Sequence, residues 1–255
     1  MLIDQPATLA QIVQRVWPGD TLAHAEPMLG GISAQVLLLH VRHADNAVGK
    51  YLVRVHGEGD RKRNPDVALH EYSILRHVYA AGLPVAKPVH LDQSCEVYPL
   101  PYIVVGYIEG KTEFAPRDIP GFVQQYATLL ARIHQVKGAP DFLIDRAAMV
   151  QQRIQYQPDE LDDTVDEAGL RAKLRTLFPL RQMNAPALLH GDFWPGNLIW
   201  QDGRLVGVVD WEDVDVGDPL ADLSIARLEM LWMCGQAAMH DFTRAYQQLM
   251  PHLDY

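Results

Sequence analysis

One segment in the last third of the chain constrains the fold more than any other part of the sequence. It begins as HGDFWPGN at residues 190–197, continues as two apolar runs around QDGR at residues 201–204, and ends at Asp210. Asp-Gly tolerates the positive φ angles that a tight hairpin turn requires, so residues 198–209 are predicted to form a β-hairpin. Because Asp210 follows Asn197 by 13 residues, the turn is expected to bring these two residues side by side.

The residue types at these positions predict a magnesium-dependent reaction. Asn197 and Asp210 offer hard oxygen ligands, and Mg²⁺ usually takes only one or two ligands from protein, with phosphates and water supplying the rest. Asp192 precedes Asn197 on the same loop and can accept the proton of an attacking hydroxyl group. We therefore predict Asn197 and Asp210 as metal ligands and Asp192 as the catalytic base. The alternative is a polar loop in which these residues only form turns.

An ion pair is predicted independently in the first half of the chain. A helix is expected over residues 66–81, and Glu71 falls within its apolar stripe. Burying an unpaired carboxylate is costly, so Glu71 needs a partner. The candidate is Arg54, on the strand that precedes this helix. The alternative is that both side chains are exposed, as most charged side chains are.

The segments HGDFWPGNLIW and VVDWEDVDVGDPLADL resemble the aminoglycoside phosphotransferase family and its choline-kinase-like relatives. The resemblance implies a bilobal α+β fold of the protein-kinase type. Residues 1–107 would form a small β-rich, nucleotide-binding lobe, and residues 108–255 a mainly helical lobe with the catalytic loop and the acceptor site. It also implies ATP or GTP as phosphoryl donor and Mg²⁺ as metal. The implied acceptor is a hydroxyl group of a small molecule, and such molecules include the cationic aminoglycosides and choline.

The same resemblance assigns roles to the predicted ion pair and to the end of the catalytic segment. Arg54 would contact the α- and β-phosphates and would be held in place by Glu71. The family more often has Lys at this position, and Arg keeps the charge but differs in reach. Asp222 would brace the catalytic loop, His190 would orient the loop backbone, and His134 is expected to be a packed histidine.

Two further nucleotide contacts follow from the resemblance. Gly30, Gly31 and Ser33 stand where kinases have a glycine-rich loop, whose backbone N–H groups approach phosphate oxygens. A simple Gly-Gly turn is the alternative. Gly106 and Ile108 would supply the carbonyl and the N–H that bind adenine, although an ordinary buried strand would have the same sequence.

Net charge and apolar patterning limit the partners. The formal charge of −10 argues against nucleic acid, because phosphate backbones are bound by clustered Lys and Arg. Neither a signal peptide nor a stretch long enough to span a bilayer is evident, so a cytoplasmic protein without membrane contact is predicted. The acidic run at residues 159–167 is interpreted as a solvated face, with acceptor binding as the alternative. Oligomeric state stays open.

Two other functions compete with small-molecule phosphorylation. A protein kinase generally needs a long activation segment, but Asp222 follows Asp210 by only 12 residues and no Ala-Pro-Glu follows. A nucleotide-binding pseudokinase with a regulatory role is the second alternative. Asp192, Asn197 and Asp210 are all present, which disfavours a pseudokinase, while Arg54 in place of Lys keeps that alternative open.

Overall fold

The computed structural model describes residues 5–28, 34–156, 158, 160–179, 181 and 183–255. The chain forms two compact units, one of residues 1–113 and 196–212, the other of residues 114–195 and 213–255. The sequence predicted a boundary after residue 107 and left the hairpin with the helical part. In the division into compact units, the first unit extends to residue 113 and includes the hairpin. The assignment of nucleotide binding and acceptor binding to two lobes stays a prediction.

The helices and strands of both units are numbered here in chain order. They are α1 (Pro6–Val16), β1 (Thr21–Pro27), β2 (Ala34–Arg42), β3 (Val48–His56), α2 (Glu58–Arg63), α3 (Val67–Ala80), β4 (Pro88–Asp92), β5 (Tyr102–Gly106), α4 (Ile119–His134), α5 (Arg146–Gln155), α6 (Glu167–Leu177), β6 (Ala187–Leu189), β7 (Leu198–Gln201), β8 (Arg204–Val208), β9 (Asp215–Gly217) and α7 (Leu220–Leu249).

The first unit is built on a five-stranded antiparallel sheet in the order β1-β2-β3-β5-β4. Helix α1 buries Leu9, Ile12 and Val13 in a core that also contains Leu39 and Val53 of the sheet. This burial of one helix face follows from the spacing of its apolar residues. Strand β3 carries Arg54, as the sequence predicted for the strand that precedes the helix over residues 66–81.

Helix α3 carries the apolar stripe predicted from the sequence. Ile74, Leu75 and Val78 are buried on it, and Glu71 is buried with them, at 6% exposure. Two elements nearby have no clear sequence signal: the short helix α2 is strongly charged, and strand β4 begins with a proline. The helix predicted over residues 66–81 is α3, which begins at Val67 and is separate from α2.

Strands β7 and β8 form the predicted hairpin, in which Leu198 pairs with Val208. Asp202 and Gly203 have φ angles of 49° and 75°, the left-handed conformation that the turn requires. The hairpin is attached to the first unit by two backbone hydrogen bonds between Lys111 and Trp200, of 3.0 and 2.8 Å. These bonds explain why the hairpin belongs to the first unit.

The second unit is mainly helical. Helices α4 and α7 pack through buried side chains, among them Tyr126 and Phe242, whose ring centroids lie 5.3 Å apart. Gly235 interrupts α7 with a φ of 85°. Strand β6 pairs with β9, and the HGDFWPGN segment at residues 190–197 follows β6 directly. In the part of the chain that is described, no helix combines the length and the apolar composition needed to cross a membrane.

In the acidic run at residues 159–167, the side chains of two acids accept hydrogen bonds from nearby backbone N–H groups. Asp159 lies outside the described residues. Asp162 accepts a hydrogen bond from the Thr164 N–H, and Asp166 accepts one from the Gly169 N–H at the start of α6. Glu167 pairs with Arg171 one turn later. The described acids are mostly exposed, as a solvated face requires.

Candidate active site

The predicted ion pair between strand β3 and helix α3 is present. Arg54 Nε lies 3.2 Å from Glu71 Oε2, and the same oxygen lies 2.6 Å from His56 Nε2. Arg54 and His56 are two residues apart on one strand, so their side chains point to the same face of the sheet. His56 is 1% exposed. Glu71 is thus ion-paired with Arg54 and hydrogen-bonded to His56, and the sequence predicted only the Arg54 contact.

The Arg54 charge and the His56 hydrogen bond keep Glu71 ionised in a buried position. Burial raises the pKa of Glu71, but the charge of Arg54 and the hydrogen bond from His56 outweigh burial and lower the pKa below its ordinary value. A carboxyl group whose pKa is lower in the folded state stabilises the fold at pH values above its pKa in the unfolded chain. That contribution is lost as the pH falls through the folded-state pKa.

Arg54 also reaches the residues that follow the hairpin. Its Nη2 lies 3.5 Å from Asp210 Oδ1 and contacts Glu212 Oε1 directly. The guanidinium group therefore connects the carboxylate of Glu71 on α3 to two carboxylates beyond β8. The contact with Glu212 was not predicted, although an acid two residues after Asp210 was a visible signal.

The hairpin places the two predicted metal ligands at the same end. The Val209 N–H donates to the Asn197 carbonyl oxygen at 2.9 Å, immediately before Asp210. Asn197 is buried, while the Asp210 side chain is 40% exposed and its backbone has a φ of 64°. Amide and carboxylate oxygens are the donor set that Mg²⁺ prefers, so the residues present fit this ion. Their role as ligands remains a prediction.

A cavity of about 70 Å³ opens beside this cluster within the first unit. One part of its wall is apolar and comes from strands β2, β3 and β5 and from the end of β8. The polar part of the wall comprises Arg54, Glu71 and Asp210. This combination suits a ligand with an apolar ring and charged groups.

The remaining predicted nucleotide contacts are Gly30, Gly31, Ser33, Gly106 and Ile108. Gly30, Gly31 and Ser33 lie outside the described residues. Gly106 is the last residue of β5, and its N–H donates to the Lys87 carbonyl oxygen at 2.8 Å. The Ile108 side chain packs close to Gly207 of the hairpin. Adenine binding by Gly106 and Ile108 stays a prediction.

In the second unit, Asp222 of helix α7 holds the start of the predicted catalytic loop. Its carboxylate accepts the His190 N–H at 2.7 Å and the Gly191 N–H at 3.1 Å, and it lies 3.3 Å from His134 Nε2. His134 Nδ1 in turn lies 2.6 Å from the Tyr246 hydroxyl. The buried His134 is therefore packed, as predicted, and is also hydrogen-bonded to the acid that supports the loop.

The pKa of Asp222 is lowered by these partners. Burial raises the pKa, but the hydrogen bond and charge of His134 and the N–H of His190 outweigh it. Asp222 is completely buried, so its charge depends on these few contacts. The Asp222 carboxylate is therefore held as an anion that accepts hydrogen bonds from the loop backbone.

The backbone around Asp192 is fixed on both sides. Before it, Gly191 has a φ of 85°, and a β-carbon there would overlap the Asp213 carbonyl oxygen. After it, Phe193 is fully buried, and its carbonyl oxygen accepts the Tyr126 hydroxyl at 3.2 Å. Asp192 itself is partly exposed. A rigid support with an accessible carboxylate is what a general base requires.

The buried charge of Glu71 yields a stability prediction. Glu71→Gln keeps the side-chain shape but removes the charge, so we expect the free energy of unfolding at pH 7 to fall by about 1–3 kcal/mol. Glu58→Gln is a matched control, because the Glu58 side chain is 72% exposed and forms a surface ion pair with Lys62. Its effect should stay below about 0.5 kcal/mol.

Urea unfolding of both variants at several pH values would test this prediction. The difference between the native protein and Glu71→Gln should shrink as the pH falls through the folded-state pKa of Glu71, since the native carboxylate is then protonated as well. Equal effects of the two substitutions at pH 7 would show that the Glu71 charge does not stabilise the fold.

Comparison with known proteins identifies related sequences. The model of the family described as "Phosphotransferase enzyme family" matches residues 24–254. Viomycin phosphotransferase of Streptomyces vinaceus is 30% identical over 142 residues, which cover 49% of this chain and 48% of that protein. Acyl-CoA dehydrogenase family member 11 of Gallus gallus is 25% identical over 215 residues, covering 75% of this chain and 27% of that protein. The chain thus spans between about a quarter and a half of the length of these two relatives.

Solved structures share the fold. The ternary complex of APH(2")-IIa with streptomycin and ATP matches 98% of this chain and 85% of its own chain, with a TM-score of 0.68 and 16% sequence identity. The predicted kinase-like α+β fold is therefore confirmed, with a β-sheet N-terminal region and a mainly helical C-terminal part.

Proposed function

Because the chain belongs to the phosphotransferase enzyme family, we propose that it transfers the γ-phosphoryl group of ATP or GTP to a hydroxyl group of a small molecule. The observation that carries this proposal is the sequence from Asp192 through the hairpin to Asp210, with Arg54 contacting Asp210 in the first unit. Support for a nucleotide donor comes from the ATP bound in the structure with a similar fold.

The proposed chemistry needs a base, a cation and positioned phosphates. The acceptor oxygen attacks the γ-phosphorus, the bond from that phosphorus to the bridging oxygen breaks, and the nucleoside diphosphate leaves. Asp192 takes the proton of the acceptor hydroxyl. Asn197 and Asp210 would hold Mg²⁺, which supplies positive charge to offset that of the phosphates.

Arg54 has the charge and the location to contact phosphate oxygens next to this metal. A guanidinium group binds phosphate through paired N–H groups, and Glu71 fixes its Nε end by the 3.2 Å contact. Gly30, Gly31 and Ser33 would cover the phosphates, and Gly106 and Ile108 would bind the base. Phosphoryl transfer in this scheme relies on positioning and electrostatics.

The acceptor is proposed only at the level of its class. Viomycin and streptomycin, named with the relatives, are hydroxylated and cationic. An aminoglycoside, a choline-like amino alcohol, or a related small hydroxyl compound would fit the same chemistry. Fold similarity alone does not choose among these compounds.

A turnover panel tests the proposed function. Mg²⁺-dependent consumption of ATP and of GTP would be measured with viomycin, streptomycin, hygromycin B, a macrolide, choline, homoserine and simple sugars. We expect at least one acceptor to stimulate nucleotide consumption and a phosphorylated product to appear by mass spectrometry. Nucleotide binding without acceptor-stimulated turnover across a broad panel would favour the regulatory pseudokinase instead.

A further inference from the structure

A cavity of about 480 Å³ lies within the second unit and is lined by the first turns of α5 and α7. We call it the α5–α7 cavity. Its volume falls in the range of ~300–1,000 Å³ that is typical of sites for small molecules. Most of its wall is apolar, and this part of the wall includes Val150, Phe178, Pro179, Leu220 and Ile225. The cavity therefore suits a ligand with an apolar body.

The two acids in the wall already accept hydrogen bonds from the chain itself. Asp145 caps α5 by accepting a backbone N–H at 2.8 Å. Asp218 accepts four hydrogen bonds of 3.0 to 3.1 Å, whose donors are Met183, Asn184 (twice) and Leu220. Four hydrogen bonds use the lone pairs of a carboxylate, so Asp218 has little capacity left for a cationic ligand.

The guanidinium groups in the wall, in contrast, have N–H groups to offer. Arg146 Nη2 is buried and has no hydrogen-bond partner among the residues that the structure describes. Arg146 Nε lies 2.6 Å from Asp215 Oδ2. Burial raises the pKa of Asp215 to about 7 although the Arg146 charge opposes this rise, so near neutral pH Asp215 offsets that charge only in part. Arg181 adds a second, exposed guanidinium group.

The direction of the two helices favours the same sign of ligand charge. Helix α5 begins at Arg146 and α7 at Leu220, and both residues belong to the cavity wall. The N-terminal end of a helix carries a partial positive charge. Together with the free N–H groups of Arg146, these two helix ends make the cavity more favourable for an anionic group than for a cationic one.

Arg146 also connects the cavity to the segment that carries Asp192. A β-carbon on Gly191 would lie 3.0 Å from Arg146 Nη2, so the guanidinium group lies against the residue that precedes Asp192. A ligand whose anionic group binds Arg146 is therefore held near the proposed base.

We propose that the α5–α7 cavity binds the acceptor, and that this acceptor is a hydroxyl compound with an apolar body and a carboxylate that pairs with Arg146. The inference rests on the proposed function and narrows its acceptor class. Viomycin and streptomycin, which are named with the relatives, carry the opposite charge.

Binding of three probes of equal chain length tests the charge preference. Hexanoate, hexylammonium and hexanol would be titrated against the full chain by ligand-observed NMR. We expect hexanoate to bind about tenfold more tightly than hexylammonium. Arg146→Met keeps an apolar side chain but removes the charge, so it should weaken hexanoate binding by about tenfold or more and leave hexanol binding nearly unchanged.

Two further variants serve as control and as second test. Arg153→Met is the matched control, because Arg153 is exposed on the same helix and is not part of the cavity wall, so its affinities should equal those of the native protein. Ser224→Trp does not change the charged groups. Ser224 is an exposed wall residue on α7, and an indole there should occupy part of the cavity and weaken both hexanoate and hexanol by about tenfold.

Turnover then connects the cavity to the reaction. We expect at least one of a series of hydroxyhexanoates, which differ in the position of the hydroxyl group, to stimulate ATP or GTP consumption. Arg146→Met should raise the KM of that acceptor by about the factor by which it weakens hexanoate, with a smaller change in kcat.

The outcomes separate this inference from the proposed function. Hexylammonium binding as tight as that of hexanoate would overturn the anionic acceptor, as would turnover with streptomycin but with none of the hydroxyhexanoates; the second result would leave the proposed function in place. Hexanoate affinity that is unchanged in Ser224→Trp would overturn the assignment of the cavity, even if Arg146→Met does not fold. Hexanoate binding that depends on Arg146, without nucleotide consumption for any acceptor, would contradict the proposed function itself.

Discussion

Replacing Asp192 with alanine should reduce kcat by about 10²- to 10⁴-fold, the usual contribution of a general base. The nucleotide Kd should be nearly unchanged, because the proposed role of Asp192 concerns the acceptor proton. The variant should also fold, since the neighbouring loop is held by the Phe193 carbonyl oxygen and by Asp222.

Acceptor-stimulated turnover and nucleotide binding would be measured on the same preparations. Asp192→Asn separates the charge of the base from its shape, and we expect it to be nearly as inactive as the alanine variant. Activity close to that of the native protein in either variant would refute Asp192 as the base. An equal loss of nucleotide affinity would point to a binding role instead.

The second large effect is expected from Asp222→Ala. The substitution leaves the N–H groups of His190 and Gly191 and the ring of His134 without their buried acceptor. Removing one side of a buried charged contact typically costs about 3–5 kcal/mol, and we expect a decrease of this size in the free energy of unfolding. Turnover should fall as well, because the backbone before Asp192 loses its support.

Urea unfolding at pH 7 would measure this loss. Asp241→Ala, on the same helix with a side chain 55% exposed, is the control and should change stability by less than about 0.5 kcal/mol. Because its folded-state pKa is lowered, Asp222 should stabilise the native protein above about pH 4 and lose this effect in more acidic solution. A destabilisation no greater than that of Asp241→Ala would show that the hydrogen bonds accepted by the Asp222 carboxylate do not stabilise the fold.

The sequence predicted those features of the fold that depend on local pattern. The Asp-Gly pair was sufficient for the β7–β8 hairpin, and helical spacing placed Glu71 on the buried side of α3, where Arg54 meets it. The fold class followed from the resemblance of the catalytic segment to known kinases. Burial of an acid at a predicted apolar position is a physical constraint strong enough to identify its partner.

Other features depend on contacts that no local pattern contains. His56 and Glu212 each stand two residues from a predicted site residue, but a histidine or an acid at such a spacing is ordinary without knowledge of what faces it. Helix α2 is polar and short, so its periodicity carries little information. The inclusion of the hairpin in the first unit depends on pairing between Lys111 and Trp200, which are far apart in sequence.

That pairing has a practical consequence for anyone who wishes to express the first unit alone. Gly110 approaches the Trp200 carbonyl so closely that a β-carbon there would lie 2.6 Å from it, and the Val208 N–H donates to the Pro84 carbonyl oxygen at 2.8 Å. A fragment that stops at residue 113 would leave these partners without the hairpin. A minimal fragment should instead join residues 1–113 to residues 196–212 through a short artificial linker.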